Sequence, residues 1–264
     1  MKDKKKIRWL WGMLLLILCL FPLKETGRAA GGYEMLPTIT ETYVNPIYRS
    51  VVGAEDLNTP NPYGVMLTAD VEYGTEAEAA VNFRGQMKQR TESIVVGLTT
   101  ESESCKTQMS EIAELAMAHT GNPVEGDYLK WQYAGWTASA SGYSKSGTSY
   151  WTITYTLTYY TTAAQESSVN SAVSSVISSC GLNDAGKSSY EKIRAIYDYI
   201  CSKVSYDYTN LNNDDYKLKY TAYAALCNNT AVCQGYAVLF YRLSLECGID
   251  ARLIAGTGNG GAHG

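Results

Sequence analysis

The stretch TAVCQGYAVLFYRLSLECGID, residues 230–250, contributes most to the prediction of the fold. Cys233 stands near its start, and the stretch closes with Gly248, the residue type that favours the end of a helix. Between them, apolar or small residues recur at the spacing of one buried helical face, at positions Tyr236, Ala237, Phe240, Leu243 and Cys247. The pattern predicts a helix that begins at Cys233.

A cysteine at a helix start is a candidate nucleophile. The first turn of a helix carries unpaired backbone N–H groups and about half a positive charge, which stabilise a thiolate and can later bind an oxyanion. The alternative is a buried structural thiol, which is common for cysteine on an apolar helix.

A histidine follows at a distance that fits this chemistry. Residues 249–255 (IDARLIA) are predicted to form a strand, residues 256–261 (GTGNGG) a turn, and Ala262 and His263 the opening of the next strand. Such a hairpin could return the imidazole of His263 to the helix start, and a cysteine with a histidine in hydrogen-bond reach is the minimal activated thiol.

Three segments resemble the bacterial transglutaminase-like superfamily, a branch of the papain-like cysteine enzymes. They are KIRAIYDYICSKVSYDY (192–208), YTAYAALCNNTAVCQGYAVLFYRLSLECGIDARLIAG (220–256) and AHG (262–264). A V-x-Y-D stretch matches residues 204–207, the A-V-C-Q-G-Y-A segment matches residues 231–237, and the start of the H-[AG]-W-N strand matches residues 263–264. Motif order and spacing agree as well as composition.

The resemblance implies an acyl-transfer site in which Cys233 is the nucleophile and His263 the base. Gln234 and Tyr223 are candidates for binding the oxyanion or supporting the site, and a core position is the alternative for Tyr223. Tyr206 and Asp207 resemble positions that shape the site, with Tyr206 expected in the core. The third catalytic residue of the family, an Asp on the strand after the histidine, would lie beyond Gly264. We therefore expect a fragment of a longer protein or a truncated gene, and weak or absent activity without that Asp.

The N-terminus predicts export. Residues 1–30 combine a basic start, an apolar run from Trp9 to Leu23 and a small pair, Ala29 and Ala30, which is typical of a cleaved signal peptide. Residues 31–74 hold four of the six prolines and predict an extended arm or linker. We expect a secreted or cell-surface protein that meets the membrane only through its signal segment.

A small α+β domain is predicted over residues 75–182. Its clearest element is a strand at 151–159, where Trp, Ile, Tyr and Leu alternate with Thr, paired in a hairpin with residues 131–140 across GYSKSG (142–147). Helices are expected at about 75–89, after 104 and at 162–180, and a strand at 92–100. The domain more loosely resembles the N-terminal modules of secreted proteins of Gram-positive anaerobes. The overall fold class is α+β, with an incomplete papain-like, transglutaminase-like core over 183–264.

The charge and the cysteine spacing disfavour some classes of partner and cofactor. Residues 1–30 hold seven basic and two acidic residues, so without them the net charge falls from −4 to −9, which disfavours nucleic acid as a partner. The remaining six cysteines show no CxxC pair, so neither a zinc site nor a disulfide scaffold is indicated and no cofactor is expected.

Individual disulfide pairs stay open: Cys105 with Cys180, or Cys201 with Cys227 or Cys247. His119 is interpreted as a structural residue at a helix end.

We predict a secreted thiol enzyme that attacks a peptide or carboxamide carbonyl, more often a peptidase or amidase than a cross-linker. The substrate would be a protein or peptide, including cell-wall peptide. The alternatives are an inactive module that keeps the fold and binds cell-wall polymer or surface protein, and an exported structural protein with disulfides.

Overall fold

A computed structural model describes residues 28–29, 32–48, 52–58, 69–258 and 261–263 of the 264-residue chain. The predicted signal segment falls almost entirely outside these residues. Within the described ranges, no helix is long and apolar enough to cross a membrane. The chain forms a mixed α+β structure with two main hydrophobic cores.

A long antiparallel hairpin forms the centre of the first core. Its strands are β6 (Tyr133–Lys145) and β7 (Thr148–Tyr159), paired along almost their whole length. Only Ser146 and Gly147 separate them, with φ of 55° and 83°, as a two-residue turn with two positive φ angles requires. The hairpin prediction is confirmed, although the turn is shorter than the six residues expected.

The other strands of this sheet flank the hairpin. β5 (Ser93–Thr100) pairs with β7, and β4 (Glu72–Tyr73) lies parallel to β5. On the other side, β2 (Tyr33–Met35) and β3 (Ile39–Val44) pair with β6, and β1 (Arg28–Ala29) pairs with β2.

Two helices cover one face of the sheet, α1 (Glu76–Lys88) and α2 (Lys106–Ala116). The alternating strand predicted at 151–159 is confirmed, and its large side chains are buried between sheet and helices: Trp151, Ile153, Tyr155 and Leu157. Burial on one face explains the period of two, because the opposite face carries threonines.

Residues 31–74 are not simply a linker. β3 pairs with β6 at six consecutive positions from Ile39 to Val44, and Tyr48 is buried with an exposure of 1%. Ile39–Val44 and Tyr48 of the predicted extended arm or linker are therefore part of the packed structure. The pairing partner of β3 lies about a hundred residues later in the chain, so the local sequence does not reveal this contact.

Four helices build the second core: α4 (Ala163–Ser179), α5 (Ser189–Lys203), α6 (Ala222–Cys227) and α7 (Cys233–Glu246). The sequence predicts three capping boxes. Those of Thr162 with Gln165 and of Ser188 with Glu191 are present at the starts of α4 and α5, whereas at the start of α1 only one half forms, the bond from Glu78 N to the Thr75 side chain. α4 packs against α6 and α7 rather than against the sheet, so the change from one core to the other comes before residue 163, not near residue 182.

A buried ion pair joins the two parts of the molecule. The Arg90 guanidinium, just after α1, lies 2.7 Å from Glu166 on α4. Tyr128, in the short helix α3 (Asp127–Lys130), donates a hydrogen bond of 2.8 Å to the other carboxylate oxygen of Glu166. Both charged side chains are almost fully buried, so the contact depends on close packing of the two cores.

The predicted strand at 249–255 does not form. The hairpin after α7 is shorter, with β10 (Gly256–Gly258) paired to β11 (Gly261–His263). The backbone N–H of Leu253 donates instead to the Asp127 carboxylate, at 2.9 Å, so a side chain takes the place of a strand partner.

Candidate active site around Cys233

Cys233 is the first residue of α7, as predicted. The preceding Val232 is extended and provides no side-chain cap, and the first hydrogen bond within the helix runs from Tyr236 N to Val232 O at 3.3 Å. The earlier N–H groups of the turn therefore have no partner within the helix. Cys233 is partly exposed.

Gly235 allows the helix start to pack closely on the preceding segment. A Cβ atom here would lie 2.6 Å from the Ala231 Cβ and 2.9 Å from the Lys219 carbonyl oxygen. The same carbonyl accepts a hydrogen bond of 3.2 Å from Val232 N. A glycine two residues after Cys233 thus fixes the position of the nucleophile.

Gln234 points into the protein. Its amide nitrogen donates to the carbonyl oxygens of Trp131, at 3.0 Å, and Tyr220, at 3.3 Å, and to the hydroxyl of Tyr48. The side chain is buried, and its N–H donors serve these interior acceptors. Of the two roles predicted for Gln234, these contacts fit the supporting one, because the side chain anchors the start of α7 and does not turn its N–H donors toward the Cys233 thiol.

Tyr206 is brought to Cys233 by a short parallel strand pair. β8 (Ser205–Tyr206) lies beside β9 (Thr230–Ala231), with Tyr206 opposite Ala231, two residues before the cysteine. Burial raises the pKa of the Tyr206 phenol, and the nearby charge of Cys233 raises it further. Its exposure of 36% corrects the expectation of a core residue.

A second tyrosine, Tyr220, also lies near Cys233. Burial raises the pKa of Tyr220, and the charges of Asp214 and Cys233 add to the effect. Tyr223, the tyrosine proposed from sequence, packs on α6 against the second core. Sequence reasoning missed Tyr220 because nothing in the segment 217–220 shows which face of its short 3-10 turn meets the helix start.

A buried lysine holds the loop between the two motif segments. Lys219 is fully buried, and its ammonium donates to the carbonyl oxygens of Asn210, Leu211 and Asn213 at 2.7, 3.0 and 2.8 Å. Burial lowers the pKa of Lys219 despite the nearby charge of Asp214. This residue was not predicted.

Asp207 supports the same loop. It is buried and accepts hydrogen bonds from the backbone and side chain of Asn210, between 2.9 and 3.1 Å. These bonds order the chain that follows β8, which agrees with the interpretation of Asp207 as a residue that shapes the site.

The segment that leads into the His263 hairpin is held by a residue of the first half of the chain. Asp127 accepts hydrogen bonds from Arg252 Nε at 2.7 Å and from Leu253 N at 2.9 Å. Burial alone would raise the pKa of Asp127, but the bonds from Arg252 and Leu253 outweigh it and hold the pKa below its usual value. His263 itself is the last residue of β11, and its side chain lies outside the described residues.

The C-terminal third of the chain, which contains this site, is similar to a known family. Residues 181–263 match the family model of the transglutaminase-like superfamily. The matched region includes Cys233, Tyr206 and the His263 hairpin, and it leaves Tyr48, Asp127 and Trp131 outside. No curated protein matches the chain.

The six described cysteines are all free thiols, so none of the disulfide pairs left open by the sequence forms. Burial raises the pKa of Cys105 to about 11 and also raises that of Cys227 and Cys247. A raised pKa favours the neutral thiol, which fits the packing role predicted for the two cysteines of the transglutaminase-like region.

His119 interacts with a carboxylate and not, as predicted, with the dipole of a helix end. Helix α2 ends at Ala116, so the imidazole does not lie in its last turn. Its Nε2 lies 2.7 Å from the Asp250 carboxylate, across 131 positions of sequence. The interpretation as a structural residue rests on this contact with the segment after α7 rather than on a helix dipole.

Proposed function

We propose that this chain is a transglutaminase-like thiol enzyme that performs acyl transfer on a peptide or carboxamide carbonyl. The observation that carries the proposal is the position of Cys233, partly exposed at the start of α7, where the first N–H groups have no partner within the helix. The match of residues 181–263 supports it, because this superfamily usually performs cysteine-based acyl transfer.

The first step would be attack by the Cys233 thiolate on the carbonyl carbon. The π electrons of the carbonyl move to oxygen, and the resulting oxyanion accepts hydrogen bonds from N–H groups of the first turn of α7. His263 would take the thiol proton beforehand and return it to the leaving amine when the intermediate collapses.

The second step would transfer the acyl group from the thioester to an acceptor. Water gives a carboxylic acid and makes the protein a peptidase or amidase, whereas an amine gives a new amide. We propose water as the main acceptor, because the family resemblance favours hydrolysis. We also propose that the protein acts outside the cell on protein or cell-wall peptide, since residues 1–30 have the composition of a signal peptide.

Trapping of the acyl enzyme tests this function. The chain is incubated with a peptide library containing glutamine and amide-linked residues, quenched in acid and examined by intact-mass spectrometry, with and without an added primary amine. The proposal expects a thioester adduct on Cys233 and more hydrolysed than aminated product.

The matched controls are Cys233→Ala and Cys201→Ala, since Cys201 is the exposed thiol on α5. The first should abolish both adduct and product, and the second should change neither. Product formation that survives in Cys233→Ala would overturn the proposal, and specific binding of cell-wall polymer without turnover would favour the inactive module.

A further inference from the structure

The short helix α3 contacts both sides of the candidate active site. At its C-terminal end, the carbonyl oxygen of Trp131 accepts a hydrogen bond of 3.0 Å from the side chain of Gln234, the residue after Cys233. At its N-terminal end, the Asp127 carboxylate binds the segment that leads into the His263 hairpin. One turn of helix therefore lies between the nucleophile side and the base side of the site.

The contact on the base side is a buried carboxylate with three hydrogen bonds. Asp127 is 3% exposed and accepts from Arg252 Nε at 2.7 Å, from Arg252 Nη2 at 3.3 Å and from Leu253 N at 2.9 Å. A guanidinium that binds both oxygens of a carboxylate fixes orientation as well as distance. A second contact holds the same segment, since His119 Nε2 lies 2.7 Å from the Asp250 carboxylate.

The anchored backbone lies close to the strand that carries the candidate base. Two residues separate Leu253 from Gly256, the first residue of β10. Gly256 is the direct pairing partner of His263 in β11. The position of Leu253 therefore determines where the hairpin begins, and through the hairpin it determines the position of the His263 backbone.

The contact on the nucleophile side fixes α3 to α7. The Tyr241 hydroxyl of α7 donates to the carbonyl oxygen of Glu125 at 3.3 Å, and a Cβ atom at Gly126 would lie 3.2 Å from that hydroxyl. Within α3, Trp131 N donates to the carbonyl oxygen of Asp127 at 3.0 Å. The residue that holds the hairpin and the residue that holds Gln234 are thus joined by one helical hydrogen bond.

We propose that Asp127 is a positioning residue that sets the place of His263 relative to Cys233. This inference rests on the proposed function, in which His263 takes the thiol proton. Proton transfer needs the two groups within hydrogen-bond reach, and a displacement of about 1 Å can cost a factor of 10² in rate. Asp127 and Trp131 precede the matched residues 181–263, so this chain supports the site from outside the transglutaminase-like region.

The test follows the alkylation of Cys233 by iodoacetamide from pH 5 to 9, resolved by peptide mass spectrometry in the full chain. Asp127→Ala removes all three hydrogen bonds, and Arg252→Met removes two of them from a side chain that is 56% exposed. Asp127→Ala should raise the half-maximal alkylation pH by about one unit, because a displaced imidazole no longer stabilises the thiolate. Arg252→Met should shift it upward by less, since the bond from Leu253 remains.

Two kinds of control separate positioning from a general loss of structure. Asp198→Ala and Arg194→Met remove another Arg–Asp pair, on the surface of α5, and should keep the wild-type profile. Asp127→Ala and Arg252→Met are also made together with His263→Ala. A residue that acts through His263 has no further effect in that background, whereas a loss of packing or a direct effect of charge on the thiol persists.

A wild-type alkylation profile in Asp127→Ala, or a shift of equal size with and without His263, would overturn the positioning role and leave Cys233 and His263 as the reacting pair. If Asp127→Ala does not fold, Arg252→Met decides by the same two criteria. A His263→Ala protein with the wild-type profile would overturn the proposed function and the positioning role with it, so the two failures are distinguishable.

Discussion

The side-chain amide of Gln234 donates a hydrogen bond to the hydroxyl of Tyr48, a residue 186 positions earlier in the chain. Tyr48 in turn donates to the carbonyl oxygen of Trp131, which also accepts from Gln234 at 3.0 Å. The residue next to the candidate nucleophile is thus held by two residues outside the matched transglutaminase-like region. The first half of the chain is therefore part of the framework of the site.

Gln234→Leu should destabilise the protein by about 1–3 kcal/mol, because it leaves buried acceptors without their donor. Tyr48→Phe should lower the free energy of unfolding by a similar amount. The double variant should lose less free energy of unfolding than the sum of the two single variants, since the two side chains share hydrogen bonds. Urea denaturation measures these values. Gln86→Leu is the matched control, because Gln86 makes only an exposed side-chain bond to Asn82, and its effect should stay within about 0.5 kcal/mol. Full additivity would contradict the coupling.

Asp127→Asn should flatten the dependence of stability on acid pH. The pKa of Asp127 is lowered in the folded protein, so the unfolded state binds its proton at a higher pH. The stabilisation is present above about pH 4 and is lost as the pH falls through the lowered folded value.

Thermal unfolding between pH 2 and 7 measures this effect. The wild type should lose more stability below pH 4 than Asp127→Asn. Asp198→Asn is the control, because Asp198 forms an exposed pair with Arg194, and it should follow the wild type. A variant curve parallel to the wild type would show that Asp127 does not contribute.

Gly235→Ala should destabilise the protein by about 1–3 kcal/mol through overpacking, since the new Cβ would meet Ala231 and the Lys219 carbonyl. It should also slow alkylation of Cys233, because the helix start has to move. Gly85→Ala, in the middle of α1 with open space around the position, should instead stabilise by about 0.4–1 kcal/mol. Equal effects at the two glycines would refute the packing argument.

Lys219→Met should lower the free energy of unfolding by at least about 2 kcal/mol, because three carbonyl oxygens of the loop at 210–213 lose a charged donor. The loop should also become more sensitive to limited proteolysis. Lys203→Met, at the exposed end of α5, provides the comparison and should leave both properties nearly unchanged. Proteolysis of the loop at the wild-type rate in Lys219→Met would contradict this role.

The sequence predicted the elements whose causes are local. The capping boxes before α4 and α5 and the β6–β7 hairpin follow from caps and turn residues within short windows. The helix at Cys233 also forms, but of its predicted buried face only Leu243 is fully buried, and Val238 and Leu239 are buried instead. These features need no knowledge of distant partners.

The contacts that build the site were harder to predict because their partners are far apart in sequence. Nothing near Gln234 shows that Tyr48 and Trp131 will accept its donors, and β8 is too short, at two residues, to reveal a strand. The spacing of apolar residues in α4 also could not show which core this helix joins. An apolar helical face can pack against the sheet of the first core or against the helices of the second core.

The most direct test of the account is the alkylation rate of each cysteine between pH 5 and 8, resolved by mass spectrometry in the wild type and in His263→Ala. The account predicts selective labelling of Cys233 at low pH, lost in the variant, with Cys227 and Cys247 reacting slowly. Labelling of Cys233 no faster than that of Cys227 or Cys247 would contradict the nucleophile at the start of α7.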